Sequence, residues 1–138
     1  MHAIGGKKGL AVSLFVAIIF FVAGFSSRGY CPLDKTANPW YRVLAHNLGF
    51  AAAIILLTSL LEVAGILLVG SAVGFAMFTC GRAVVCGSSS ALFVALFEAV
   101  AYMLAYTIAT VKGRWRAVLA CIMFTLLLVA SIIESGAA

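Results

Sequence analysis

Glu98 is the residue whose type and placement most readily imply chemistry. It stands near the middle of residues 90–111, a run of about 20 otherwise apolar positions long enough to cross a bilayer. An ionised side chain at that depth costs roughly 2.5–3.5 kcal/mol on insertion scales, whereas each Leu, Ile, Val or Phe returns only about 0.3–0.6. Such a group faces protein or water rather than lipid. Helical spacing puts Ala91, Ala95, Ala101, Tyr102, Ala105 and Ala109 on its side, and the bulkier Phe93, Leu96, Phe97, Val100 and Leu104 opposite. The alanine stripe predicts close approach of another helix. Two readings of the carboxyl stay open: a proton, ion or substrate site, or a hydrogen-bonded glutamate that fastens helices together.

Three more polar residues sit at matching depths. If the chain starts inside, the second and fourth spans begin at the outer face and the fifth ends there, which places His46, Asn47, Glu98 and Glu134 in the outer half. Glu98 would lie ~12 Å below the start of its helix and Asn47 ~6 Å below its own. Asn47 is therefore the expected hydrogen-bond partner, and a neutral Glu98 could both donate to the amide oxygen and accept from its NH₂. Glu62 falls at the inner turn, in water.

Other chemistry finds little support. The four cysteines, Cys31, Cys80, Cys86 and Cys121, include no CxxC pair, and the histidines are only His2 and His46, so neither a metal nor a cofactor is expected. Cys31, Cys80 and Cys86 would share the oxidising face. A Cys80–Cys86 disulfide or buried free thiols both remain open, and an unpaired Cys31 should label from outside. No HExxH, P-loop or nucleophile elbow occurs, and catalysis is not expected.

The elements that must position these residues are membrane helices. The chain has 138 residues, 65% hydrophobic and 9% charged, with a mean hydropathy of +1.22. That composition excludes a soluble domain and predicts a single all-α transmembrane domain, 1–138, with spans near 9–25, 43–61, 63–80, 90–111 and 117–133. The runs are continuous rather than alternating, so a β-barrel is excluded. Residues 9–25, preceded by Lys7 and Lys8 and ending in Val22, Ala23 and Gly24, look like a secretory signal peptide; the expectation is a retained signal anchor.

Only Glu62 separates the second and third runs. One helix through both would be roughly 57 Å long, nearly twice the hydrocarbon core, which predicts a tight hairpin broken between residues 58 and 65. Gly70 and Gly74 form a GxxxG seam in the third span, and with Ala95, Ala101 and Ala105 they are the expected packing positions. Residues 81–89 read as a turn with Arg82 its single charge. The loop at residues 26–42 is the one long polar connection, ending in Pro39, Trp40 and Tyr41 at an interface. Lys7, Lys8, Lys112, Arg114 and Arg116 against Arg28, Lys35, Arg42 and Arg82 predict a cytoplasmic N-terminus in a multi-pass cell-membrane protein. The net charge of +5 thus describes loops flanking lipid, with no reason to invoke nucleic acid.

AHNLGFAAAI opening span two, VGSAVGFAM in span three, ALFEAVAYMLA in span four and the terminal SIIESG together resemble the stage II sporulation protein M family of integral membrane proteins. The resemblance covers most of the chain from Arg42 onward. It implies that Asn47, Glu98 and Glu134 match the family's asparagine and two glutamates; where many members carry a His-Gly pair, this chain has Val94 and Ala95. It also implies a membrane scaffold. The first expectation is accordingly a non-enzymatic scaffold assembling laterally with itself or another membrane protein in the bilayer. The alternative is a small transporter or channel component with a proton- or cation-handling site at Glu98. A cavity reaching Glu98 favours the second; a dry, packed Glu98 favours the first.

Overall fold

The computed structural model describes residues 2–29, 31–32 and 37–136, with side chains from residue 7 onward. Lys35, counted above among the outer charges, lies outside the described residues. The fold is all-helical: α1 (His2–Ser26), α2 (Trp40–Leu60), α3 (Glu62–Cys86), α4 (Ser89–Thr110) and α5 (Trp115–Ser135), with no strand among the described residues. All five contain a segment long and apolar enough to cross a membrane, as expected of a multi-pass membrane protein. The backbone polar groups of such segments must be satisfied within the helix. Side-chain hydroxyls follow the same rule: Ser59, Ser71, Thr79, Thr107, Thr125 and Ser131 each donate to the carbonyl four residues earlier.

The central element is α4, which touches all four other helices. Its alanine face explains this position, because Ala91, Ala95, Ala101 and Ala105 are buried while Phe93, Leu96 and Val100 point outward. Tyr106, fully buried on the same helix, and Leu127 of α5 fill the core beside Val69 and Val73 of α3.

The break between the second and third spans falls at Leu61, inside the expected window. This residue is extended (φ −142°, ψ 101°), with helix on either side. Thr58 and Gly65 meet across it: a Cβ on Gly65 would collide with Thr58. No continuous helix passes Glu62, whose side chain is exposed.

Residues 81–89 differ from expectation. The third span does not stop at Cys80 but continues as helix to Cys86, where Gly87 (φ 70°) closes it and the Ser88 hydroxyl caps α4 by accepting from Ala91 N at 3.3 Å. Gly81, which resembles a turn residue, instead lets two helices touch. A Cβ there would strike the backbone of Phe21, Gly24 and Phe25 in α1, and one on Gly24 would strike the Phe78 carbonyl. This close approach makes α1 and α3 neighbours along much of their length. The expected GxxxG seam is only half of it: Gly74 faces Val16 and Phe20 of α1, but a Cβ on Gly70 would meet nothing within 4 Å.

Arg82 consequently is not a loop charge. It is 3% exposed and reaches back across the end of α1, donating to the carbonyls of Ser27 and Gly29, the latter at 3.0 Å, and to Cys86 Sγ at 3.7 Å. The cysteine pairing differs as well. Cys86 bonds to Cys31, 55 residues away with a Cα–Cα distance of 6.0 Å, while Cys80 is a buried free thiol. With α3 helical through Cys86, Cys80 and Cys86 lie about 9 Å apart along one helix, beyond the Cα separation a disulfide tolerates. Cys31 is therefore not the free outward-facing thiol anticipated.

Candidate functional site

Asn47 comes from the second turn of α2 and Glu98 from the third turn of α4. Where the helices face each other, Asn47 Nδ2 donates to Glu98 Oε1 at 2.8 Å, and Tyr102 Oη donates to Asn47 Oδ1 at 3.4 Å. Both ends of the buried Asn47 amide are thus engaged, which fixes its orientation. Tyr102 stands one turn beyond Glu98 on the same face, so the acidic, amide and phenolic groups form one connected set. Its other oxygen leaves Glu98 with hydrogen-bonding capacity that no described residue takes up.

This set lies on the wall of a cavity of about 590 Å³ enclosed by α2, α3, α4 and the end of α5. His46, Asn47, Glu98 and Glu134 all line it, so the four polar positions expected to share the outer half do converge. The helical axes explain why. Asn47 and Glu98 sit seven and nine residues in from helix starts at the same end of the bundle, and Glu134 is one residue from the finish of a helix that ends there. Asn38 and Arg42 also contribute at that end, whereas Leu68, Ala72 and Ala76 of α3 make an apolar back wall.

Several lining residues were not singled out in the sequence. His46 packs edge-on against Phe50 with centroids 5.2 Å apart, and Phe50 in turn meets Tyr102 at 6.3 Å. Phe50 lies at i+4 from His46 and i+3 from Asn47, so the same helical spacing that picks out the alanine stripe would have found it. Phe75 and Ser71 carry no such signal; they are ordinary members of an apolar run whose exposed edge rims the cavity.

A second, smaller cavity of about 390 Å³ opens at the opposite end, lined by Thr58, Ser59, Glu62, Thr110, Lys112 and Arg116 among others. No group of three or more His, Cys, Asp or Glu side chains suited to a metal ion occurs among the described residues.

No protein-family model matches the chain. Neither the curated proteins nor the solved structures contain a match.

Proposed function

We propose that this chain is a non-enzymatic membrane protein that handles a proton or cation at Glu98, as a small transporter or a channel component. The observation that supports the reading is the cavity that reaches Glu98 from one end of the bundle. An intramembrane carboxyl becomes useful for ion handling when something outside the protein can exchange with it and the rest of its surroundings stay apolar. Here one oxygen is held by Asn47, and the side chain as a whole borders open space. A scaffold working purely by lateral assembly would be better served by a packed, dry glutamate, so the ion-handling reading is preferred. Self-association, or a membrane partner, is consistent with it.

The proposal extends to placement. Lys7, Lys8, Lys112, Arg114 and Arg116 gather at one end of the bundle, and the Cys31–Cys86 disulfide lies at the other. Basic residues favour the cytoplasmic side and disulfides persist on the oxidising side. The two signals agree on a cytoplasmic N-terminus in a cell membrane, with the cavity mouth outside. Membership of the stage II sporulation protein M family is part of the same proposal, carried by Asn47, Glu98 and Glu134, three residues that line one cavity.

Two measurements test the central claim. In nanodiscs, dicyclohexylcarbodiimide should modify Glu98, with the yield falling as pH rises and the exchangeable proton is lost; an unreactive Glu98 overturns the reading. In proteoliposomes carrying an imposed proton or sodium gradient, the wild-type protein should dissipate the gradient and Glu98→Gln should not. Identical traces for the two proteins count equally against it.

A further inference from the structure

The cavity has more room than an inorganic ion needs. A volume of about 590 Å³ instead falls within the range that holds an organic ligand, roughly 300–1,000 Å³.

The walls say what kind. Two carboxyl groups, Glu98 and Glu134, border the cavity, together with the aromatic rings of Phe50, Phe75 and Tyr102. Carboxylates attract positive charge, and aromatic faces attract organic cations while burying their apolar bodies. The one arginine, Arg42, lies five residues nearer the helix start than Asn47, ~7.5 Å further out along α2, and so guards the mouth rather than the interior.

The cavity is also open at its side. Phe75 is 74% exposed and Phe50 40%, Ser71 is exposed beside them, and these residues lie on the facing edges of α2 and α3. Phe75 is eleven residues before the end of α3, ~16 Å below it, at a depth where a membrane-spanning helix meets acyl chains and not water.

We propose that the cavity binds lipophilic organic cations, which enter it from the bilayer through the opening between α2 and α3. This deepens the ion-handling reading and rests on it for the role of Glu98: the carboxylate holds the cationic centre, and the aromatic rings and the α3 wall hold the apolar body.

The test uses full-length protein in nanodiscs with tetraphenylphosphonium as the probe and tetraphenylborate, its near-isosteric anion, as the competitor. Saturable binding of the cation is expected, with tetraphenylborate failing to displace it. Glu98→Gln, which keeps an oxygen for Asn47, should weaken binding at least tenfold. Ser71→Trp should block the side opening and weaken binding to a similar degree. Equal binding of the two probes, or unchanged affinity in Glu98→Gln, overturns the inference. The two readings fail separately. If Glu98 reacts with carbodiimide and controls ion flux but tetraphenylphosphonium does not bind, only the organic-cation site falls. Charge-selective, Glu98-dependent binding without gradient dissipation leaves the site standing and removes ion flux.

Discussion

Asn47 and Glu98, 51 residues apart in the chain, are joined by a 2.8 Å hydrogen bond between the α2 and α4 helices. Few sequence positions in this protein offer a polar group at that depth, so each is costly to leave alone. Replacing Glu98 with Leu should loosen the bundle by about 1–2 kcal/mol, because Asn47 Nδ2 is left without its acceptor. Glu98→Gln should cost far less. The pair can be isolated with a double-mutant cycle: Asn47→Leu combined with Glu98→Leu should be less damaging than the sum of the single changes. Strict additivity in nanodisc unfolding experiments would show that the hydrogen bond does not couple the helices.

Gly81 tests the α1–α3 contact. A Val side chain there would meet the α1 backbone, which cannot rotate away, so Gly81→Val should abolish the folded, monodisperse protein or lower its thermal midpoint sharply. Gly70→Ala has open space and should change stability by less than about 0.5 kcal/mol. Equal effects at the two positions would contradict the packing described.

Arg82→Leu should cost about 2–3 kcal/mol, since the carbonyls of Ser27 and Gly29 lose a charged donor. It should also make the Cys31–Cys86 bond easier to reduce by freeing the segment that carries Cys31. Arg82→Lys should fall between, because a single ammonium cannot copy the spread of the guanidinium fork. The rate of reduction by dithiothreitol, followed by alkylation and mass spectrometry, reads both effects; a rate that ignores Arg82 would exclude the link.

Thiol chemistry checks orientation. Untreated protein should show little alkylation at the buried Cys80 and none at Cys31 or Cys86. In intact cells a membrane-impermeant phosphine reductant should then expose Cys31 to an impermeant maleimide. Labelling of Cys31 that requires permeabilised cells would place the disulfide end inside and reverse the proposed topology.

Much of this arrangement is legible in the sequence because a bilayer leaves few options. Helix number follows from the apolar runs, the burial of α4 from its alanines, and the Asn47–Glu98 contact from matching depths on facing helices. Other features depend on tertiary partners that no local pattern announces. Gly81 followed by Arg82 reads as a turn until α1 is placed against it; then the glycine is a contact and the arginine caps a neighbouring chain segment. Cysteine pairing hinges on where α3 stops, and six additional helical residues carry Cys86 to Cys31 and away from Cys80. The cavity itself is a place where Phe50 and Phe75 stand apart, which spacing along one helix cannot reveal.

Leu61 has a mechanical meaning for that cavity. It is the single non-helical residue linking α2 to α3, while the far end of α3 is tied to the segment that follows α1 by a covalent bond and by Arg82. The far end of α3 is thus held in place, and at the base α2 and α3 meet at one extended residue. With 21 residues, α2 is a lever about 31 Å long, and a swing of about 10° around Leu61 would carry its outer tip some 5 Å while hardly moving Thr58. Any displacement of α2 about Leu61 would therefore be larger at Arg42 than at Thr58, near the opposite end of the same helix.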